Sequence, residues 1–147
     1  MAENIIILEK ATKIFKAEVV FENISVAFEK GKVYGIIGRN GSGKSVFFKC
    51  ICGLMPLTAG LVRVNGKIVG KEMEIPSDIG VIIERPGFMQ HYSGFKNLKM
   101  LAKIHGKATD STICATMRKV GLDPDNKKWV EKYSLGMLQR LGIAQAI

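Results

Sequence analysis

The sequence predicts an α/β protein in which a strand-rich first half is followed by an all-helical second half. Up to residue 84, short apolar runs of strand length dominate. From residue 95 onward, apolar residues recur at the three- and four-residue spacing of amphipathic helices. Between these regions, a glycine-rich loop follows one predicted strand and precedes one predicted helix. These three observations define the predicted fold class.

Six segments have the apolar pattern of strands. Two of them, residues 33–37 and 78–84, are nearly all apolar, and we expect them to be strands of a parallel sheet covered on both faces. Asn65-Gly66 separates two further runs and predicts a hairpin, because both residues tolerate positive φ. The predicted strands are residues 4–8, 24–28, 33–37, 61–64, 67–69 and 78–84.

Four segments have the pattern of helices. The first, residues 44–51, begins at the end of the glycine-rich loop and is stopped by Gly53 and Pro56. The others are marked by apolar residues within 95–102, 113–120 and 138–144. Thr109, Asp110 and Ser111 are available to cap the second of these three.

Composition excludes several classes of protein. The longest charge-free apolar stretch, residues 50–62, is shorter than the ~20 residues of a membrane-spanning helix. The N-terminus lacks the pattern of a secretory signal, so we predict a cytoplasmic location. The three cysteines, Cys50, Cys52 and Cys114, have no metal-binding spacing and are expected to be reduced and buried. The net charge of +9 is spread along the chain, so it is weak evidence for nucleic-acid binding.

The glycine-rich loop matches the phosphate-loop motif G-x-x-x-x-G-K-S in full. Its glycines allow backbone amides to form an anion-binding nest, and the following helix adds the positive end of its dipole. Lys44 would contact the β- and γ-phosphates, and the Ser45 hydroxyl would ligate Mg²⁺. The fold expected is a P-loop NTPase (RecA-like) core. The motif consists of Gly38, Arg39, Asn40, Gly41, Ser42, Gly43, Lys44 and Ser45.

Other motifs narrow the class of nucleotide-binding protein. A GTPase would need Asn-Lys-x-Asp, and the nearest string, at residues 126–129, lacks the aspartate. The chain instead resembles the ATP-binding subunits of ABC transporters over essentially its whole length. Phe15 stands where these subunits carry an adenine-stacking aromatic, and Val46 follows the loop where threonine is more common. Residues 133–140, YSLGMLQR, resemble the ABC signature Leu-Ser-Gly-Gly-Gln with its Gln-Arg tail.

The resemblance implies a β-subdomain with the P-loop core at residues 1–85 and a helical subdomain with the signature at 86–147. It implies that Ser134 and Gly136 face the γ-phosphate of ATP bound to a second, head-to-tail ATP-binding subunit. A transmembrane permease would be the other partner, with the subunit peripheral on the inner face of the cell membrane. A soluble ABC-type ATPase acting on nucleic acid or ribosomes is the alternative, and a non-enzymatic nucleotide-binding remnant is a second one.

Two departures from the family pattern stand out. Glu84 occupies the place of the usual magnesium-contacting glutamine, and it can still ligate Mg²⁺ as a carboxylate. Gln90 is the other possibility, but it lies beyond the Pro86-Gly87 turn, so Glu84 is preferred. The strings around Glu84 and the signature look most like the branch that exports bacitracin and lantibiotic-type peptides.

The second departure is that no aspartate follows a run of four apolar strand residues, no glutamate follows such an aspartate, and no histidine follows the signature. We therefore expect the chain to be the N-terminal part of such a subunit, truncated before the Walker B strand. It should bind ATP with little turnover, because positioned acid–base groups contribute roughly 10²–10⁴ in rate. We also expect an exposed apolar sheet edge and self-association to cover it.

Overall fold

The computed structural model describes residues 3–83, 87–106 and 108–147. The chain divides into two compact units, Met1–Ile79 and Gly80–Ile147, and each is described by itself.

The first unit is built on a four-stranded antiparallel sheet with the strand order β2-β1-β3-β4. Strand β1 pairs with β2 on one side and with β3 on the other, and β3 pairs with β4. Phe15 pairs with Glu18, so β1 and β2 are joined by the two-residue turn Lys16-Ala17. The strands are β1 Asn4–Phe15, β2 Glu18–Glu29, β3 Ala59–Val64 and β4 Lys67–Ile68.

Helix α1 (Lys44–Ile51) packs its apolar side against this sheet. Phe47 and Ile51 of the helix join Leu8 of β1 and Val62 of β3 in one buried cluster. The Phe47 ring also meets the Phe21 ring of β2 edge-on, with 5.6 Å between centroids. This contact fixes the start of α1 over strand β2, and it thereby fixes the end of the loop that precedes the helix.

Several predictions for this unit are confirmed. The helix predicted at residues 44–51 has the observed bounds of α1. The predicted hairpin also forms, with Asn65 and Gly66 at φ values of 47° and 81°. The strands predicted at 4–8 and 24–28 exist but extend further, because β1 and β2 pair along twelve residues each.

The two buried parallel strands predicted at residues 33–37 and 78–84 are wrong where the structure describes them. Residues 33–37 and 78–83 are not strands, and Val33 and Ile37 are 100% and 99% exposed. Within the described residues, no strand hydrogen-bonds alongside either segment. Because a parallel strand forms only beside a neighbour, the apolar runs remain irregular. Val81 and Ile82 are exposed as well, so the expected exposed apolar residues are present but not as a sheet edge.

In its described residues, 80–83, 87–106 and 108–147, the second unit contains three helices and a single 3-10 turn. The helices are α2 Gly94–His105, α3 Asp110–Lys119 and α4 Leu135–Ala146, and the turn is Val130–Lys132. Each helix has a hydroxyl N-cap: Ser93, Thr109 and Ser134 accept a hydrogen bond from an amide of the first turn. The capping residue expected for α3 is thus confirmed as Thr109.

The core of this unit joins all three helices to the segment before α4. Met117 of α3 and Leu141 of α4 are fully buried, and Leu98 of α2 is nearly so. The Tyr133 hydroxyl accepts a buried hydrogen bond from the Gly94 amide at 3.1 Å, which ties the start of α2 to the residue before Ser134. This bond therefore positions the residue that precedes the N-cap of α4.

The cysteines are free thiols. Cys50 and Cys52 are buried, as expected, whereas Cys114 is half-buried. Burial raises the pKa of Cys50 and of Cys52, and at Cys50 the charge of Lys13 opposes the larger effect of burial. Neither buried thiol is therefore an activated nucleophile. Among the helices in the described residues, none is long and apolar enough to cross a membrane.

Candidate functional site

The phosphate loop lies between the irregular segment at residues 33–37 and helix α1. The Lys44 ammonium folds over the loop and donates to the carbonyls of Gly38 and Arg39, each at 2.7 Å. A longer contact of 3.5 Å joins it to the Ser42 hydroxyl oxygen. The positive charge of Lys44 is therefore held on the loop itself by backbone oxygens, where an anion bound by the loop would meet it.

The N-terminus of α1 is open to a ligand. Its N-cap is Gly43, which has φ 84° and supplies no side-chain hydrogen bond. The Phe47 amide makes the first hydrogen bond of the helix, to the Gly43 carbonyl at 2.8 Å. The amides before it, from Lys44 onward, belong to the first turn and have no acceptor within the helix. Together with the helix dipole, they favour a bound anion.

Glycine is required at position 43 for two reasons. Its φ of 84° is in the left-handed region, which side chains disfavour. In addition, a Cβ atom built there would lie 2.5 Å from Cγ1 of Val20 in strand β2. Strand β2 therefore supports the loop directly, and a side chain at position 43 would push the two apart.

One pocket joins the phosphate loop to the end of strand β1. Its volume is about 640 Å³. The Phe15 ring, 41% exposed, stands at one end, and the loop and first turn of α1 form the other. The structure thus brings together two of the predicted elements, the aromatic residue and the phosphate loop, within a single unit of the fold. The lining residues are Phe15, Glu18, Val19, Val20 and Asn40 to Val46.

The signature residues lie in the second unit, at the start of α4. Ser134 is the exposed N-cap, and its hydroxyl accepts from the Met137 amide at 3.3 Å. A Cβ atom added at Gly136 would have no neighbour within 4 Å, so the surface there is open. Leu135 between them is 65% exposed. Ser134 thus caps this helix, and the outer face of its first turn is free for an approaching molecule within the part of the chain that the structure describes.

The structure describes one of the two predicted metal ligands. The Ser45 hydroxyl is exposed and lines the pocket in the first turn of α1, whereas Glu84 lies outside the described residues. Among residues 3–83, 87–106 and 108–147, no group of three His, Cys, Asp or Glu side chains could hold a metal ion. A single hydroxyl fits Mg²⁺ that is held mainly by phosphate oxygens and water, which is the usual arrangement with nucleotides.

Sequence reasoning missed two residues at this site. Val20 supports Gly43, as described above, and Lys13 of β1, which is 7% exposed, places its Nζ atom 4.8 Å from the centre of the Phe15 ring. No strand is predicted from the sequence at residues 11–15, and the burial of Lys13 depends on a carbonyl far along the chain, so the sequence does not reveal it. No sequence signal marks Val20, because its role depends on a contact between strand and loop.

A sequence profile of the ABC transporter family matches residues 21–147. The chain is 43% identical over 136 residues to YybJ, an uncharacterised ABC transporter ATP-binding protein of Bacillus subtilis, covering 92% of the chain and 62% of YybJ. It is 40% identical to the bacitracin transport ATP-binding protein BcrA of Enterococcus faecalis, over 99% of the chain and 47% of BcrA. It is also 36% identical to the lantibiotic transport ATP-binding protein SrtF of Streptococcus pyogenes, over 93% of the chain and 58% of SrtF.

A solved structure of an ATP-binding subunit of an ABC transporter has the same fold, with a TM-score of 0.79. The two chains are 24% identical, and the match covers 97% of this chain and 61% of the other. The protein thus has the fold of an ABC ATP-binding subunit and a phosphate loop in the expected place. It belongs to the ABC transporter family, and it spans about half the length of the curated relatives it matches.

Proposed function

We propose that this chain is the nucleotide-binding part of an ABC transporter ATPase subunit that serves the export of a peptide or another small molecule. The observation that carries the proposal is the pocket that joins Phe15 to the phosphate loop. The Phe15 ring offers an aromatic surface for a base. The Lys44 ammonium and the backbone amides of the loop offer a positively charged surface for phosphates. The names of the relatives, which include bacitracin and lantibiotic transport proteins, support the class of cargo.

Each part of the pocket has a role in holding ATP. The Phe15 ring would stack on adenine, as aromatic side chains do with nucleobases. The loop amides and the start of α1 would hold the phosphates, and the Lys44 ammonium would exchange its bonds to Gly38 and Arg39 for bonds to phosphate oxygens. The Ser45 hydroxyl would hold Mg²⁺, whose charge neutralises the phosphates, and Glu84 is the proposed second ligand.

The signature end of α4 would act on a second subunit. We propose that Ser134 and the open surface at Gly136 meet the γ-phosphate of ATP bound to the phosphate loop of a partner copy or related subunit. The N-terminus of a twelve-residue helix favours this contact with an anion. Closure of the pair on ATP would drive a membrane permease from the cytoplasmic face, and the segment around residues 84–94 together with the helical segment is the proposed permease contact.

We also propose that these 147 residues hold ATP but hydrolyse it slowly. The sequence contains no aspartate–glutamate pair behind an apolar strand run to polarise the attacking water. The exposed apolar side chains at Val33 and Ile37 favour self-association of the chain.

Photolabelling with 8-azido-ATP tests the nucleotide site. The azide on the base places the reactive group beside the adenine-binding surface. We therefore expect covalent labelling near Phe15 and the Lys16-Ala17 turn, mapped by mass spectrometry of peptides. Excess ATP should prevent the labelling. Labelling confined to other peptides, or labelling that ATP does not reduce, would contradict the proposed site.

Substitution of Ser134 separates its two possible roles. Ser134→Ala removes the cap and should destabilise the second unit by about 1 kcal/mol. Ser134→Asn keeps a side chain that can cap the helix, but it replaces the hydroxyl that would contact the γ-phosphate. We expect both variants to bind ATP as the unsubstituted chain does, and both to lose ATP-dependent dimerisation measured by sedimentation with non-hydrolysable ATP. If Ser134→Asn dimerises fully, Ser134 acts only as the N-cap of α4 and the proposed contact with the γ-phosphate is wrong.

A further inference from the structure

A buried lysine lies next to the aromatic residue of the proposed nucleotide pocket. Lys13 of β1 is only 7% exposed, although lysine is among the residues least often buried. Burial of an ammonium group is costly unless fixed partners replace its water. The burial of the Lys13 ammonium is explained by two contacts, one with a backbone carbonyl and one with an aromatic ring.

The first partner of Lys13 is a backbone carbonyl on a neighbouring segment. Its Nζ atom donates to the Pro56 carbonyl at 2.7 Å. That segment is fastened to β1, because the Thr58 amide donates to the Thr12 carbonyl and the Ile14 amide donates to the Thr58 hydroxyl, both at 2.9 Å. The acceptor is thus held in place, and it fixes the ammonium in turn.

The second partner is the Phe15 ring. Lys13 and Phe15 are two residues apart in β1, and the Nζ atom lies 4.8 Å from the centre of the ring. A cation at this distance from an aromatic face is attracted to it, and more strongly where water is excluded. Among the described residues, those that line the pocket include Phe15 but not Lys13. Lys13 is therefore placed to act on a bound base through the ring rather than by lining the pocket.

We infer that Lys13 is a positioning residue for base recognition, holding the Phe15 ring in the orientation in which adenine stacks on it. This inference rests on the proposed function and assigns a residue to the adenine end of the same pocket. The ammonium attracts one face of the ring, so a base stacks on the other. Positive charge behind the ring also strengthens its attraction for the electron-rich face of adenine.

The test separates base binding from phosphate binding. We expect Lys13→Met to weaken ATP binding by about 3- to 10-fold, the range of a partly buried cation–π contact. Binding of tripolyphosphate, which has no base, should be unchanged because the phosphate loop is intact. Lys13→Arg should recover most of the ATP affinity, since it keeps the charge. Calorimetry measures each affinity, and Lys67→Met, an exposed lysine of the same unit, is the matched control.

A double-mutant cycle locates the effect on the ring. In a Phe15→Ala background, Lys13→Met should have no further effect on ATP affinity. The inference is overturned if Lys13→Met binds ATP normally, if ATP and tripolyphosphate weaken equally, or if the effect persists without the ring. Failure of the unsubstituted chain to bind ATP would overturn the proposed function itself, which is a distinguishable result.

Discussion

Lys44→Ala should reduce the affinity for ATP by about 10- to 100-fold, since each hydrogen bond to a charged group contributes about 1.5–3 kcal/mol. In the structure, the Lys44 ammonium is held over the loop by the carbonyls of Gly38 and Arg39, each at 2.7 Å. Removal of the side chain deletes the only full positive charge that these contacts fix there. Calorimetric titration with ATP measures the loss.

Two further variants define the cause of this loss. Lys44→Arg keeps the charge, but its planar guanidinium cannot replace a compact ammonium between two carbonyls, so we expect an intermediate affinity. Lys67→Ala removes an exposed lysine from β4 of the same unit and should leave ATP binding unchanged. Equal losses in Lys44→Ala and Lys67→Ala would mean that overall charge, rather than the loop, attracts ATP.

Gly43→Ala should reduce ATP affinity by at least about 10-fold through two added costs. The left-handed conformation costs a non-glycine residue about 1–2 kcal/mol. The new methyl group would also stand 2.5 Å from Cγ1 of Val20, so the loop or strand β2 must move. Both effects displace the amides that face the phosphates, because Gly43 is the N-cap of α1.

The two costs can be separated with matched variants. Val20→Ala in the Gly43→Ala chain removes the clash but keeps the backbone strain, so ATP affinity should recover in part. Gly66→Ala has the same left-handed backbone, with φ 81°, and open space around the new methyl group. It should lower stability in urea while leaving ATP affinity intact. If the Gly43→Ala chain binds ATP normally, the loop does not depend on strand β2 for its shape.

The sequence predicts an element well when the signals that fix it are local. Helix α1 has the predicted bounds because a phosphate loop starts it and Gly53 and Pro56 follow it. The Asn65-Gly66 hairpin depends on two residues that tolerate positive φ. The N-cap of α3, Thr109, is one of the hydroxyl or carboxylate side chains placed just before an amphipathic segment.

Features that depend on distant neighbours could not be predicted in this way. Residues 33–37 have the composition of a buried parallel strand, but strand formation also requires a hydrogen-bonding partner. The burial of Lys13 depends on the Pro56 carbonyl, 43 positions away along the chain. The contact of Val20 with Gly43 likewise joins a strand to a loop. The motif alone therefore locates the phosphate end of the site, and the structure is needed to understand its support.

The most direct test of the central claim is a calorimetric titration of the folded, unsubstituted chain with ATP and Mg²⁺. The account predicts saturable uptake of one nucleotide per chain, weakened in Lys44→Ala and absent with adenosine alone at the same concentrations. No saturable heat at millimolar ATP, from a chain shown to be folded by circular dichroism, would contradict it.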